Sequence, residues 1–115
     1  MRALGVLLAL GAALAFVQPA SAQTQPSSKV EFYELTDRGL EHFRAERYAA
    51  ALEAFDQALA ASNEGADAVS VAFNAAACAF ALGRFDDAER RFLAVAARPG
   101  GTPLATLNAG FAALY

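Results

Sequence analysis

The chain of 115 residues has no tryptophan, one cysteine and one histidine, and these absences bound its chemistry before any pattern is sought. A lone cysteine, Cys78, excludes an intramolecular disulfide, so a small domain must hold itself together by helix packing. Its neighbours Ala76, Ala77, Ala79 and Phe80 read as core, which makes Cys78 a small buried hydrophobe rather than a cross-link. One histidine and one distant cysteine cannot supply the three or four ligands of a metal site, so no metal is expected. There is no G-x-S-x-G, no glycine-rich phosphate loop and no sign of a cofactor. His42 could act as a base only with a nucleophile or water in reach. Arg38 and Glu46 lie four residues to either side of it, the spacing of a solvated charge ladder. Catalysis is therefore not the expectation, and a small enzyme using His42 is the least favoured reading. Positive charge is also scarce: nine Lys or Arg face twelve Asp or Glu without a basic cluster, which argues against nucleic acid.

Long hydrophobic runs are lacking too, with one exception. After Arg2, residues 3–17 (ALGVLLALGAALAFV) are uncharged and almost wholly apolar; Pro19 ends the run and Ala20-Ser21-Ala22 follows. A positive start, a short apolar core and a small-x-small end make a secretory signal peptide. The run is shorter than the roughly 20 residues a membrane span needs. Residues 1–22 are thus expected to be a leader, removed before Gln23 in a periplasm or cell envelope. Residues 23–28 (QTQPSS) are a polar linker, and no later run offers an integral membrane segment.

What remains is written in helical periods. Ser28-x-x-Glu31 is a capping-box pattern, and Phe32, Leu35, Gly39 and Phe43 then form one stripe, predicting a helix over about residues 29–45. Glu46 and Arg47 are the turn into a second helix, 48–61. Ser62-Asn63-Glu64-Gly65 reads as its stop, with Gly65 as a left-handed cap. A third helix from about 67 to 82 is apolar nearly all round and should be central. Gly83 ends it. A fourth, 85–97, has Asp86 and Asp87 where the helix dipole favours acid. Thr102-Pro103 opens a fifth, running to Tyr115.

Two of these helices share one face. RYAAALEAFDQALA places Tyr48, Ala51, Phe55 and Ala58 at steps of three, four and three; RFDDAERRFLAVAA repeats this with Phe85, Ala88, Phe92 and Val95. Neither helical hairpin buries such a stripe alone, and stacked repetition gives a continuous core. The A-x3-F pairs Ala51/Phe55 and Ala88/Phe92, Gly39, the turn glycine Gly83 and Pro99 resemble the tetratricopeptide repeat. Asn74-Ala75-Ala76 and Asn108-Ala109-Gly110 recur at that family's 34-residue period. The departures are Leu35 and Ala72 in place of tryptophan, Glu46 for the turn glycine, His42 for tyrosine, and three extra residues between the first two copies. The resemblance covers residues 29–115. It implies an all-α fold, an α-solenoid of helix-turn-helix repeats with two full hairpins (about 32–65 and 69–101) and a third first-helix (103–115).

The resemblance also implies that the first helix of each pair lines a concave groove. The matching positions are Thr36, Leu40 and Phe43; Phe73, Ala77 and Phe80; Leu107, Phe111 and Leu114, with Asn74 and Asn108 beside them. The groove candidates are accordingly Thr36, Leu40, Phe43, Phe73, Asn74, Phe80, Leu107, Asn108 and Phe111. Aromatics would form pockets for a peptide or helix and the asparagines would bond its backbone; the competing reading has the phenylalanines simply packing between helices. Tetratricopeptide domains that clamp acidic chaperone tails line this groove with Lys and Arg. Here Thr36, Leu40 and Leu104 stand there, which disfavours that ligand. The expected function is an exported protein-interaction module or scaffold; the alternative is the N-terminal part of a longer envelope protein acting through sequence beyond Tyr115. Residues 99–115 carry no charge, and Leu104, Leu107, Phe111, Leu114 and Tyr115 spread around more than one side of a short helix. A partner, further chain or self-association through 104–115 should cover them.

Overall fold

The computed structural model describes residues 28–100 and 103–115. The leader and the first five residues of the linker lie outside the described residues, and so does Thr102. Five helices follow one another with no strand among the described residues: α1 over residues 28–44, α2 Tyr48–Ala61, α3 Gly65–Ala81, α4 Phe85–Ala96 and α5 Pro103–Ala113. α2 and α3, α3 and α4, and α4 and α5 pack in sequence. No described helix is long and apolar enough to cross a membrane.

The periodic stripes become the core. α2 buries Ala51, Leu52, Ala54, Phe55 and Ala58, and α4 buries Ala88, Phe92 and Val95 under an outer face of Asp, Glu and Arg. α3 buries Ala68, Val71, Ala75, Ala76, Cys78 and Ala79, spread round the helix as a central element requires. Most of these side chains are methyl groups, which brings the helix axes close together. The closest approach is in the first hairpin: a Cβ on Gly39 would stand 2.5 Å from Cε1 of Phe55. Only glycine lets that ring lie on the α1 backbone.

The two hairpin turns have the same geometry. In the first, the N–H of Glu46 donates to Phe43 O and that of Arg47 to His42 O, both at 2.9 Å. In the second, Gly83 N–H donates to Phe80 O and Arg84 N–H to Ala79 O, again at 2.9 Å. These paired bonds form a Schellman motif, whose central residue must be left-handed. Gly83 has φ +77° and Glu46 φ +59°, so a glutamate occupies a conformation that costs an L-residue energy. Arg47 and Arg84 then adopt nearly equal dihedrals and accept the N–H of Ala51 and Ala88.

Side chains about one repeat apart tie the hairpins together. Tyr33 Oη donates to Asp67 at 2.7 Å, Arg91 grips both oxygens of Asp56 at 2.8 and 3.0 Å, and Arg98 donates to Asn63 at 2.6 Å. Two local expectations need correction. Gly65 is left-handed, at φ +88°, but it opens α3; α2 ends on extended Ser62, whose N–H donates to Ala58 O. His42 belongs to no ladder with Glu46: its Nδ1 accepts from Arg47 Nε at 3.0 Å, because the turn brings Arg47 back over it.

Candidate peptide-binding groove

A furrow runs between α3 and α5 with α4 as its floor. At one end Ala77 and Phe80 of α3 face Asn108, Phe111 and Tyr115 over Phe92, enclosing about 360 Å³. At the other, Val69, Ser70, Phe73 and Asn74 face Leu104 over Val95, enclosing about 370 Å³. The periodicity explains the lining. On α3, positions 73, 77 and 80 share one face, while Ala75, Ala76 and Ala79 turn inward. On α5, Ala105, Ala109 and Ala112 bury against the stack and leave Asn108 and Phe111 toward the furrow.

Aromatic rings shape both ends. Phe73 meets Phe92 edge-on at 5.3 Å, which ties it to the floor. Phe80 meets Phe85 at 5.2 Å and Tyr115 at 5.6 Å, and Tyr115 stacks on Phe85 at 4.8 Å. Phe111 remains half exposed. No charged side chain lines either cavity. The polar groups there include Asn74 and Asn108, both half-buried, and neither carboxamide makes a side-chain hydrogen bond among the described residues. Each keeps a donor pair and an acceptor for a ligand.

Of the candidates named from sequence, the structure brings Phe73, Asn74, Phe80, Asn108 and Phe111 to this furrow. Thr36, Leu40, Phe43 and Leu107 line neither cavity. Thr36 Oγ1 donates to Phe32 O at 2.8 Å, a bond to its own helix. Leu40 and Phe43 pack on the core, Phe43 edge-on to Tyr48 at 5.5 Å. Leu107 is 56 % exposed and lies outside both cavities. Sequence reasoning missed Tyr115, Val69 and the floor residues Phe92 and Val95. The last two were visible only as core positions of the repeated stripe, and nothing local signals that Tyr115 returns to Phe85.

The pairing of α4 with α2 is electrostatic instead. Arg91 holds Asp56 and, at 2.9 Å, Asp87, while Arg90 reaches Asp87 at 3.3 Å. Burial pushes the Asp87 carboxyl upward, but the two arginines outweigh it and hold the group below its ordinary value. Cys78 is free and buried, and that burial raises its thiol to about 11. Among the described residues no three His, Cys, Asp or Glu come together to hold a metal ion.

Stacked antiparallel hairpins with an uncharged, aromatic-lined furrow define an α-helical repeat protein. The tetratricopeptide repeat profile matches residues 42–107, more than half of the chain. This chain belongs to the tetratricopeptide repeat family, whose repeats generally mediate protein–protein interaction and generally serve as non-catalytic scaffolds. Comparisons with curated proteins and with solved structures returned no match.

Proposed function

We propose that this protein is an exported interaction module that holds a peptide or helix of a protein partner in the furrow between α3 and α5. The observation that carries the reading is the lining itself: Phe73, Phe80 and Phe111 offer apolar contact, and the carboxamides of Asn74 and Asn108 bond to no side chain among the described residues. Aromatics supply area that a ligand side chain can desolvate, and the amides match a peptide backbone. Without lysine or arginine in the lining, an acidic tail gains nothing there. Export rests on the leader-like residues 1–22, which end in Ala20-Ser21-Ala22.

Panning a displayed library of random linear peptides on residues 23–115 tests the groove. Selected peptides should share apolar anchors, and Phe111→Ala should cost an anchored peptide about 2 kcal/mol. Their affinity should change little between low and moderate salt. Peptides rich in Asp or Glu, steeply salt-dependent and indifferent to Phe111→Ala, would refute the assignment. N-terminal sequencing of envelope material tests export separately: a chain beginning at Gln23 supports it and an intact Met1 refutes it.

A further inference from the structure

The two cavities of the furrow are set at one spacing on both walls. On α3, Phe73 lines one and Phe80 the other; on α5, Leu104 and Phe111 do the same. Each pair is seven residues apart, two helical turns, which sets the cavities about 10 Å from each other along the furrow. Their walls differ. One is built of aromatic rings, Phe80, Phe92, Phe111 and Tyr115. The other is mainly aliphatic, with Val69, Val95 and Leu104 beside Phe73. Each also holds one carboxamide, Asn108 in the first and Asn74 in the second, and neither makes a side-chain hydrogen bond among the described residues.

On the furrow reading proposed above, on which this step rests, we infer that the occupant is a proline-containing segment of a protein partner in the polyproline II conformation. A proline ring fills the aromatic cavity, and an aliphatic residue or second proline three positions away fills the other. The spacing decides between backbones. A polyproline II chain repeats every three residues at about 3.1 Å each, so residues i and i+3 lie on one edge about 9 Å apart, close to the separation of the cavities. A β-strand turns i and i+3 to opposite faces, and its same-face neighbours fall at about 7 and 13 Å. An α-helix meets the spacing at i and i+7, but its backbone groups are already bonded to one another and leave both carboxamides without partners. Polyproline II has no internal hydrogen bonds, so its carbonyls accept from Asn74 and Asn108. Proline also supplies the ring that aromatic-lined grooves select, and it arrives already ordered, which lowers the cost of binding in an open furrow. Charge complementarity agrees. No charged side chain lines either cavity, and where the furrow runs on past Val69 and Gly100 it meets Glu64 and Arg98 together, opposite signs that favour an uncharged ligand core.

Three fluorescein-labelled peptides with blocked C-termini, titrated by anisotropy into residues 23–115, test this. The first carries leucine and proline three apart in a proline-rich frame (Leu-Pro-Ala-Pro). The second has one alanine inserted between those anchors, and the third is an amphipathic helical peptide with leucine and phenylalanine seven apart. The first should bind, and the second roughly tenfold more weakly, because the insertion carries one anchor off the shared edge. Asn74→Ala and Asn108→Ala should each weaken the first roughly threefold, the worth of one neutral hydrogen bond, and spare the third. Circular dichroism of each variant confirms that the helices remain. A first peptide that is indifferent to the insertion and to both asparagines overturns the inference. A third peptide that binds more tightly than the first, and is lost with Phe111→Ala, overturns the proline assignment while the furrow reading stands. So does a first peptide that fails to bind when panned peptides bind and weaken with Phe111→Ala. Panned peptides indifferent to Phe111→Ala overturn the furrow reading itself, and this inference with it.

Discussion

Glu46 is the one non-glycine residue with positive φ among the described residues, and its twin in the second hairpin is Gly83. Glu46→Gly should therefore stabilise the protein. The side chain is exposed and makes no hydrogen bond or ion pair among the described residues, so its removal forfeits no contact. A left-handed conformation costs an L-residue about 1–2 kcal/mol. Glycine relieves that strain but loses more backbone freedom on folding, about 0.5–1 kcal/mol. The difference leaves a gain of roughly 0.5–1 kcal/mol, since both Schellman bonds at 2.9 Å are made by backbone and survive. For a domain of this size that corresponds to a rise in Tm of about 2–8 °C. Urea unfolding followed by helical circular dichroism would show a higher midpoint with an unchanged slope. The reciprocal Gly83→Ala, at φ +77°, should lower the midpoint by a comparable or larger amount. A Glu46→Gly midpoint at or below that of the parent would refute the argument, because the strain would then be offset by something the geometry does not contain.

Other tests follow from the packing and the charges. Ala88 has no exposed surface, and Ala88→Leu should cost about 1–3 kcal/mol by prising α4 off its neighbours, whereas Ala49→Leu on the exposed side of α2 should change stability by less than ~0.5 kcal/mol in a urea titration. Arg91→Ala should cost about 1 kcal/mol at neutral pH, a modest figure because Asp56 is partly solvated. Because Asp87 is held below its unfolded value, its contribution is present above that value and lost as pH falls through the lower folded one, so parent and Arg91→Ala midpoints should converge in acid. Cys78 runs the opposite way: with a folded value of about 11 against 9.0 ordinarily, its contribution is full below the unfolded value and is lost as pH rises through the folded one. Alkylation of native protein near neutral pH should accordingly be slow, and Cys78→Ala should flatten the alkaline fall in Tm.

The helices were legible because their faces are periodic: 48–61 holds to the residue, and the fourth helix to one residue at its end. The error at Gly65 has a physical source, since a left-handed glycine suits the exit of one helix and the entry of the next equally well. Only the extended backbone at Ser62 decides between them. The lining of the furrow was legible on α3 and α5, whereas the α1 candidates line neither of its cavities. Phe73, Phe80, Asn108 and Phe111 face an open furrow because α3 and α5 stand apart over α4, a tertiary spacing that periodicity does not encode. Thr36, Leu40 and Phe43 occupy equivalent positions, yet Thr36 bonds its own helix and the other two pack on the core. The ties Tyr33–Asp67, Asp56–Arg91 and Asn63–Arg98 could have been found by seeking complementary polar pairs one repeat apart.

The distribution of large and small side chains connects the packing with the proposed binding. Of the 19 buried hydrophobic residues among those described, 11 are alanines, whereas Leu104, Leu107, Phe111, Leu114 and Tyr115 are half or more exposed. An ordinary small domain places its bulky side chains inside, where each stabilises it most. Here methyl-sized contacts let α-helices approach closely, as in the seating of Phe55 on Gly39, and this close stacking gives up part of the apolar area a core could have buried. Much of the area set aside lies on α5, where Phe111 lines the furrow and Leu107 and Leu114 stand exposed beside it. Scattered exposed leucines would carry no such meaning, but these share one uncharged helix whose other face, Ala105, Ala109 and Ala112, is buried against the stack. One face of α5 is held by the stack, and the other is the apolar surface on which the proposed peptide reading rests.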